Sequence, residues 1–381
     1  MKLYYISGST IPSNRANSVH VMKMCQALAR LDEWDDVTLF GRKGKNHVDI
    51  SQSYGVEEIF DLELISTLPV PVIGGMQRIY KTWSQIRKRG FPDVFYGRDI
   101  YGLSMLSRAG MPIFIECHQV PTGTQKQELI RIFQSVNFAG CVVISKVLQE
   151  DLLEFFPDYL DRTKIVVAHD GADLPDDSYI ESKIKLKGRK NAMKIGYAGS
   201  FHSGKGAEII PDIARKLPDY DFHLLGGDAD QLASFKSTAP NNCYFYGHLP
   251  HKQTQNLIAR TDIVLAPYQK KIHIASGADI SRWISPLKLF EYMALGKPIV
   301  VSDIPVLHEV LTDQENALFV EPDNIDEWVG AITKLSDGKG LRQRFGQKGK
   351  ELIAQKYSWV SRAEKITDFI LSSMPVHAQG S

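Results

Sequence analysis

The 381-residue chain is poor in cysteine, has no long apolar run and carries no excess of either charge. Each shortage removes a class of function. Its four cysteines, Cys25, Cys117, Cys141 and Cys243, lie scattered in apolar surroundings. They form no Cys-x-x-Cys pair and no ligand cluster, which argues against a disulfide framework or structural zinc and fits buried thiols in a reducing cytoplasm. Lys and Arg number 45 against 44 Asp and Glu, so no global field draws the chain to nucleic acid. No apolar stretch reaches the length of a bilayer span, and Met1–Gly8 reads as a strand and its turn, not as a targeting leader.

What is present is a soluble composition, 43% apolar and 23% charged, in a chain long enough for two domains. Apolar runs at Lys2–Ser7, Asp36–Phe40, Asp93–Tyr96, Ile113–Glu116, Cys141–Ser145 and Lys164–Ala168 alternate with helical stretches. Asn17 or Ser18 is placed to cap the first helix, whose stripe is Val21, Met24, Cys25, Leu28 and Leu31. A basic, weakly apolar segment, Ser182–Met193, reads as a linker. The rhythm then restarts at Lys194–Ala198, Asp221–Leu225, Tyr244–Tyr246, Ile263–Pro267 and Pro298–Ser302. Strand, helix, strand in this order predicts two doubly wound parallel sheets, over 1–182 and 193–360. The tail from Met374 to Ser381 is small and polar and reads as disordered.

The densest chemical signal is Ser285-Pro286-Leu287-Lys288-Leu289-Phe290-Glu291, a loop opening onto a helix whose apolar face is Leu287, Phe290, Met293 and Ala294. Such a helix aims free amides at its loop, and Lys288 adds a charge, which suits a phosphate. Glu291, one turn on, suits sugar hydroxyls. A second loop, Gly199-Ser200-Phe201-His202-Ser203-Gly204-Lys205-Gly206, follows a strand and offers glycine backbone and a lysine to an anion. An ordinary glycine turn with a surface lysine has the same composition.

These segments resemble the signatures of the retaining glycosyltransferases of family four, enzymes of the GT-B fold. The resemblance implies two facing Rossmann-like domains, with a C-terminal helix (361–373) returning to the first. It implies a nucleoside-diphosphate sugar as donor substrate, no further cofactor, and transfer to a glycan, lipid-linked or small-molecule acceptor. Glu291 maps onto the second glutamate of the family's Glu-x(7)-Glu pattern, which binds the donor ribose. The first falls on Trp283, with Asp279 as a stand-in for the donor-sugar contact. Lys205 maps onto the phosphate-binding lysine, whereas the family arginine falls on Ser200, a loss that His202 or Lys288 would offset. Ser285, Pro286, Leu287 and Lys288 map onto the donor-binding loop, and Gly8 onto a small-residue loop near donor phosphate and acceptor, although a plain strand-to-helix turn reads the same. His118, after Glu116, maps onto a histidine beside the transferred sugar, where its alternative is a cap at a strand end. The family is thought to react by front-face attack, so no protein nucleophile is expected.

Other features point less sharply. Asp219/Asp221 and Asp228/Asp230 copy the Asp-x-Asp motif that holds manganese in transferases of another fold, but their multiplicity argues chance and no metal is assigned. Arg98 either meets an acidic acceptor or pairs with Asp99 or another carboxylate. Met76, Ile79, Tyr80, Trp83 and Ile86 form one helical face flanked by Arg78, Lys81, Arg87, Lys88 and Arg89. That face either packs on its own sheet or lies on an anionic membrane through 76–89, giving a cytoplasmic enzyme peripheral at the inner face. A nucleotide-sugar epimerase of the same fold and a non-catalytic binding protein are the alternatives. No pair of carboxylates on facing loops suggests a glycosidase.

Overall fold

A computed structural model describes residues 1–13, 15–45, 49–175, 185–272 and 279–374. The predicted linker lies partly, and the predicted tail almost wholly, outside them. The chain divides into two compact units, Met1–His169 with Trp359–Ser381, and Asp170–Ser358. The crossover falls ahead of the basic linker because Ala172 already pairs with the end of the second unit, its N–H donating to the Tyr357 carbonyl.

The first unit holds β1 (Lys2–Ile11), β2 (Asp36–Lys43), β3 (Asp61–Ile65), β4 (Val94–Gly97), β5 (Ile113–Cys117), β6 (Phe138–Val143) and β7 (Ile165–Val167). They form one sheet in the order β3-β2-β1-β4-β5-β6-β7, every pairing parallel. The central strands are buried along their whole length, as expected when helices cover both faces. The order reverses between β1 and β4, a switch point at whose carboxyl edge ligands bind in such sheets. Gly8 sits there.

The second unit holds β8 (Lys194–Ala198), β9 (Asp221–Leu225), β10 (Cys243–Gly247), β11 (Ile263–Ala266), β12 (Ile299–Ser302) and β13 (Ala317–Val320). Its order is β10-β9-β8-β11-β12-β13, again all parallel. One core layer is built on Phe290, Tyr292, Met293 and Tyr268, the other on Trp328, Phe222, Tyr197 and Phe345. The switch point lies between β8 and β11, where the loop Gly199–Gly206 emerges.

The helix Trp359–Ser373 belongs to the first unit. Trp34 Nε1 donates to Thr367 Oγ1 at 2.8 Å, and the Phe369 ring lies 5.7 Å from that of Phe114. A side chain at Gly140 of β6 would strike Phe369 at 2.6 Å, so the helix seats where the sheet lacks a Cβ. The first helix, Ala16–Ala29, starts at Arg15 with no side-chain cap. Ser18 donates instead to the Arg15 and Ser13 carbonyls, so neither Asn17 nor Ser18 is the cap the sequence suggested. No helix among the described residues is long and apolar enough to cross a membrane.

Candidate functional site

In the second unit the expected residues converge at the carboxyl edge of the sheet. Lys288, in the first turn of the helix Leu287–Ala294, projects its ammonium between two tyrosines. Nζ lies 4.2 Å from the Tyr197 ring centre and 4.4 Å from that of Tyr268. This ammonium is buried and makes no hydrogen bond among the described residues. Lys205 Nζ lies 5.7 Å from the same Tyr268 ring. Burial lowers the pKa of Lys205; burial, with Lys205 next, holds Lys288 well below the ordinary lysine value. Two cations thus share the Tyr268 ring, and the attraction of Glu208 and Glu291 does not offset the burial of Lys288.

The lysine loop is held in shape by Glu208, whose carboxylate accepts from the amides of Gly204 (2.6 Å) and Gly206 (2.9 Å). Gly206 has φ +92°, and a Cβ there would run into the Pro267 carbonyl, so only glycine lets the loop lie against the end of β11. The Ser200 carbonyl accepts from the Tyr197 hydroxyl at 2.8 Å. A Cβ built on neighbouring Gly199 would stand 3.3 Å from Lys288 Nζ, so loop and helix start adjoin. His202 lies outward against Gln231 at 3.2 Å.

Glu291 sits one turn beyond Lys288, its Oε1 2.6 Å from His251 Nε2. Nothing in the sequence singles out His251, which comes from 40 residues upstream. Ser285 Oγ accepts from the Asp170 amide at 3.1 Å, and Pro286 stands as the N-cap before Leu287. Asp279 Oδ1 braces its own loop, accepting from the amides of Ile272 and Ser281 at 3.0 and 2.9 Å. The Asp-x-Asp motifs have structural occupations. Asp221 is buried under Arg189, with Nη2 at 2.7 Å, and Asp228 caps the helix Ala229–Thr238.

In the first unit, Gly8 lies beside a buried ion pair, Arg78 with Asp99. The pairing expected between Arg98 and Asp99 is thus taken by Arg78, which the sequence placed on an outer flank. His118, after β5, is neutral near pH 7. Burial first, then the charge of Arg98, push its pKa down to about 4 against the pull of Glu116. Glu116 bonds to His118 at 2.6 Å.

The helix Pro71–Arg89 does not bury the predicted stripe as a unit. Ile86 is buried, whereas Met76 and Tyr80 are 68% and 72% exposed and Val72 is 74% exposed. The Arg78–Asp99 pair turns a charged residue inward and leaves the apolar start of the helix facing out.

Residues 180–352 match the family described as Glycosyl transferases group 1. An uncharacterised glycosyltransferase of Methanocaldococcus jannaschii is 24% identical over 237 residues, 60% of this chain and 56% of that protein. A phosphatidyl-myo-inositol mannosyltransferase of Mycolicibacterium smegmatis is 22% identical over 311 residues, 77% of this chain and 76% of that one. The chain spans about half the length of the first curated relatives it matches. Among solved structures, Anabaena Alr3699/HepE in complex with UDP and glucose aligns over 98% of this chain and 100% of its own, at TM-score 0.72 and 15% identity. That likeness, with the two parallel sheets, makes the fold GT-B.

Proposed function

Because residues 180–352 match the group 1 glycosyltransferases, we propose that the chain moves a sugar from a nucleoside-diphosphate donor to an acceptor hydroxyl with retention of configuration. The observation that carries this reading is the buried, unpartnered ammonium of Lys288 between two tyrosine rings, with Lys205 beside it. A desolvated charge is costly unless an anion completes it. The donor's diphosphate is that anion. Negative charge grows on it as the sugar–oxygen bond breaks, and fixed cations in a low-dielectric site stabilise such charge most.

In this reading Lys288, Lys205 and the first-turn amides of the helix Leu287–Ala294 hold the diphosphate, so the charge is met without a metal. The Ser285-Pro286-Leu287 turn and Ser200 shape the pocket wall. Glu291, oriented by His251, takes the ribose hydroxyls, and His118 takes a hydroxyl of the transferred sugar. Gly8 keeps the β1 edge open, and Asp279 serves as a loop brace. The neighbour held with UDP makes uridine nucleotides the first donors to try, and the relative named a mannosyltransferase adds mannose to the sugars to test.

A lipid-associated acceptor, at a membrane face in glycolipid or polysaccharide synthesis, is supported by the apolar start of the helix Pro71–Arg89. Leu68, Val70, Val72, Ile73, Met76 and Tyr80 are all exposed, and such patches on soluble proteins mark contact surfaces. Arg87 and Lys88 near the far end of this helix are exposed too, which suits an anionic surface. The test of the donor reading is a calorimetric screen of nucleoside diphosphates, followed by turnover with the matching sugar nucleotides. One base should bind and its sugar nucleotide should be consumed. Binding of no diphosphate refutes the reading.

A further inference from the structure

Glu116 has no part in the reaction proposed above, yet four side chains of the first unit meet its carboxylate. Its Oε1 lies 2.6 Å from His118 Nε2, 2.9 Å from His20 Nε2 and 3.1 Å from Arg362 Nη2. Its Oε2 accepts from the Tyr96 hydroxyl. Three parts of the chain meet here: His20 from the helix Ala16–Ala29, Glu116 from β5, and Arg362 from the returning helix. Arg362 is itself fixed, with Nε on the His169 carbonyl at 3.1 Å and Nη1 on the Met24 sulfur at 2.9 Å.

The charge state follows from these neighbours. Burial alone would raise the Glu116 carboxyl. The Arg362 guanidinium, then His20, and the imidazole hydrogen bonds outweigh it and hold the group well below the usual carboxylate range. An ionised carboxylate only accepts hydrogen bonds, so the atom of His118 that faces it must carry a proton. The ring is neutral near pH 7 and has one proton to place. If that proton is on Nε2, Nδ1 keeps its lone pair.

We infer that Glu116, clamped by Arg362 of the returning helix, fixes His118 as the Nε2–H tautomer and makes Nδ1 the acceptor for a sugar hydroxyl. Glu116 and Arg362 are therefore positioning residues, and the C-terminal helix is a working part of the first unit's site. The sugar half of this inference rests on the assignment of His118 in the proposed function.

The ligand-type atoms of His20, Glu116 and His118 lie within 4.8 Å of one another, the spacing of a metal site. However, both imidazole nitrogens converge on the one carboxylate oxygen that also holds the guanidinium. A cation placed there would face Arg362, so the cluster is a hydrogen-bonded hub.

The test is a long-range proton–nitrogen spectrum of 15N-histidine-labelled full-length protein at pH 7.5 without donor, with His118 assigned through His118→Gln. The expected signature is a protonated Nε2 and a bare Nδ1. Arg362→Lys, which keeps a cation on Glu116, should retain it. Glu116→Gln and Arg362→Met should mix the tautomers. These two should also lower kcat about tenfold, the scale of one lost charge-assisted hydrogen bond, while leaving the affinity for nucleoside diphosphate unchanged. A Glu116→Gln protein that is unfolded by circular dichroism leaves the wild-type and Arg362→Lys spectra to decide. An Nδ1–H tautomer in the wild type, a tautomer unmoved by Arg362→Met, or a zinc-induced shift of the His118 nitrogens overturns the hub. The expected tautomer with transfer unaffected by His118→Gln overturns the sugar half, together with the functional assignment beneath it.

Discussion

Replacing Lys288 with methionine should make the empty protein more stable and the liganded protein less so. Methionine keeps the length and apolar contacts of the lysine stem but removes a buried ammonium that makes no hydrogen bond among the described residues. Burying such an ion costs several kcal/mol, and its two ring contacts at 4.2 and 4.4 Å return about 1–4 kcal/mol. The net gain on substitution is about 1–2 kcal/mol, with relief of repulsion from Lys205 acting in the same direction. For a unit the size of Asp170–Ser358 that raises the melting midpoint by about 2–8 °C. Binding responds the opposite way. A lost charge-assisted hydrogen bond to phosphate is about 1.5–3 kcal/mol, a rise in Kd of about 10- to 150-fold. The wild type at 100 times Kd of diphosphate gains about 2.7 kcal/mol, so the order of the two melting curves should reverse on adding ligand. Differential scanning fluorimetry with and without diphosphate reads both effects. A Lys288→Met protein that is less stable when empty, and binds diphosphate as tightly as wild type, refutes the reasoning.

His251→Ala should weaken nucleotide binding about 3- to 10-fold by freeing the Glu291 carboxylate, and Glu291→Gln should weaken it more, as one or two hydrogen bonds would; equal calorimetric affinities in both variants contradict the pairing. His118 and His223 are both pushed down to about 4, by burial above all. The unfolded chain therefore takes up their protons first, and stability should fall as pH drops from 6.5 towards 4, by about 2 kcal/mol per histidine at pH 5. Urea midpoints that are level between pH 7 and 5 would count against this. Val72→Glu combined with Met76→Glu should abolish sedimentation with anionic vesicles while sparing soluble-acceptor turnover; sedimentation equal to wild type removes the membrane reading.

The alternation of strand and helix was legible because buried parallel strands are continuous apolar runs, as at Ile113–Cys117 and Ile299–Ser302. Asp61–Ile65 and Ala317–Val320 escaped notice. Each is an edge strand, and the first is half exposed with polar residues. The lysine loop and the Ser285–Glu291 segment could be read because the residues that act together are neighbours in sequence. The rings around Lys288, the His251–Glu291 pair and the Glu116 hub could not, since their members lie far apart in the chain, 246 residues in the case of Glu116 and Arg362. The choice between the two readings of the helix Pro71–Arg89 was out of reach for a related reason. Periodicity shows that a stripe exists, but the buried partner Asp99, 21 residues from Arg78, decides which face turns inward.

The most direct measurement of the central claim is a crystal structure of the full chain soaked with the nucleoside diphosphate that binds best. The diphosphate should lie within hydrogen-bonding distance of Lys288 Nζ and Lys205 Nζ, with its ribose hydroxyls on Glu291. A nucleotide bound elsewhere, with the Lys288 ammonium still bare between Tyr197 and Tyr268, would contradict it.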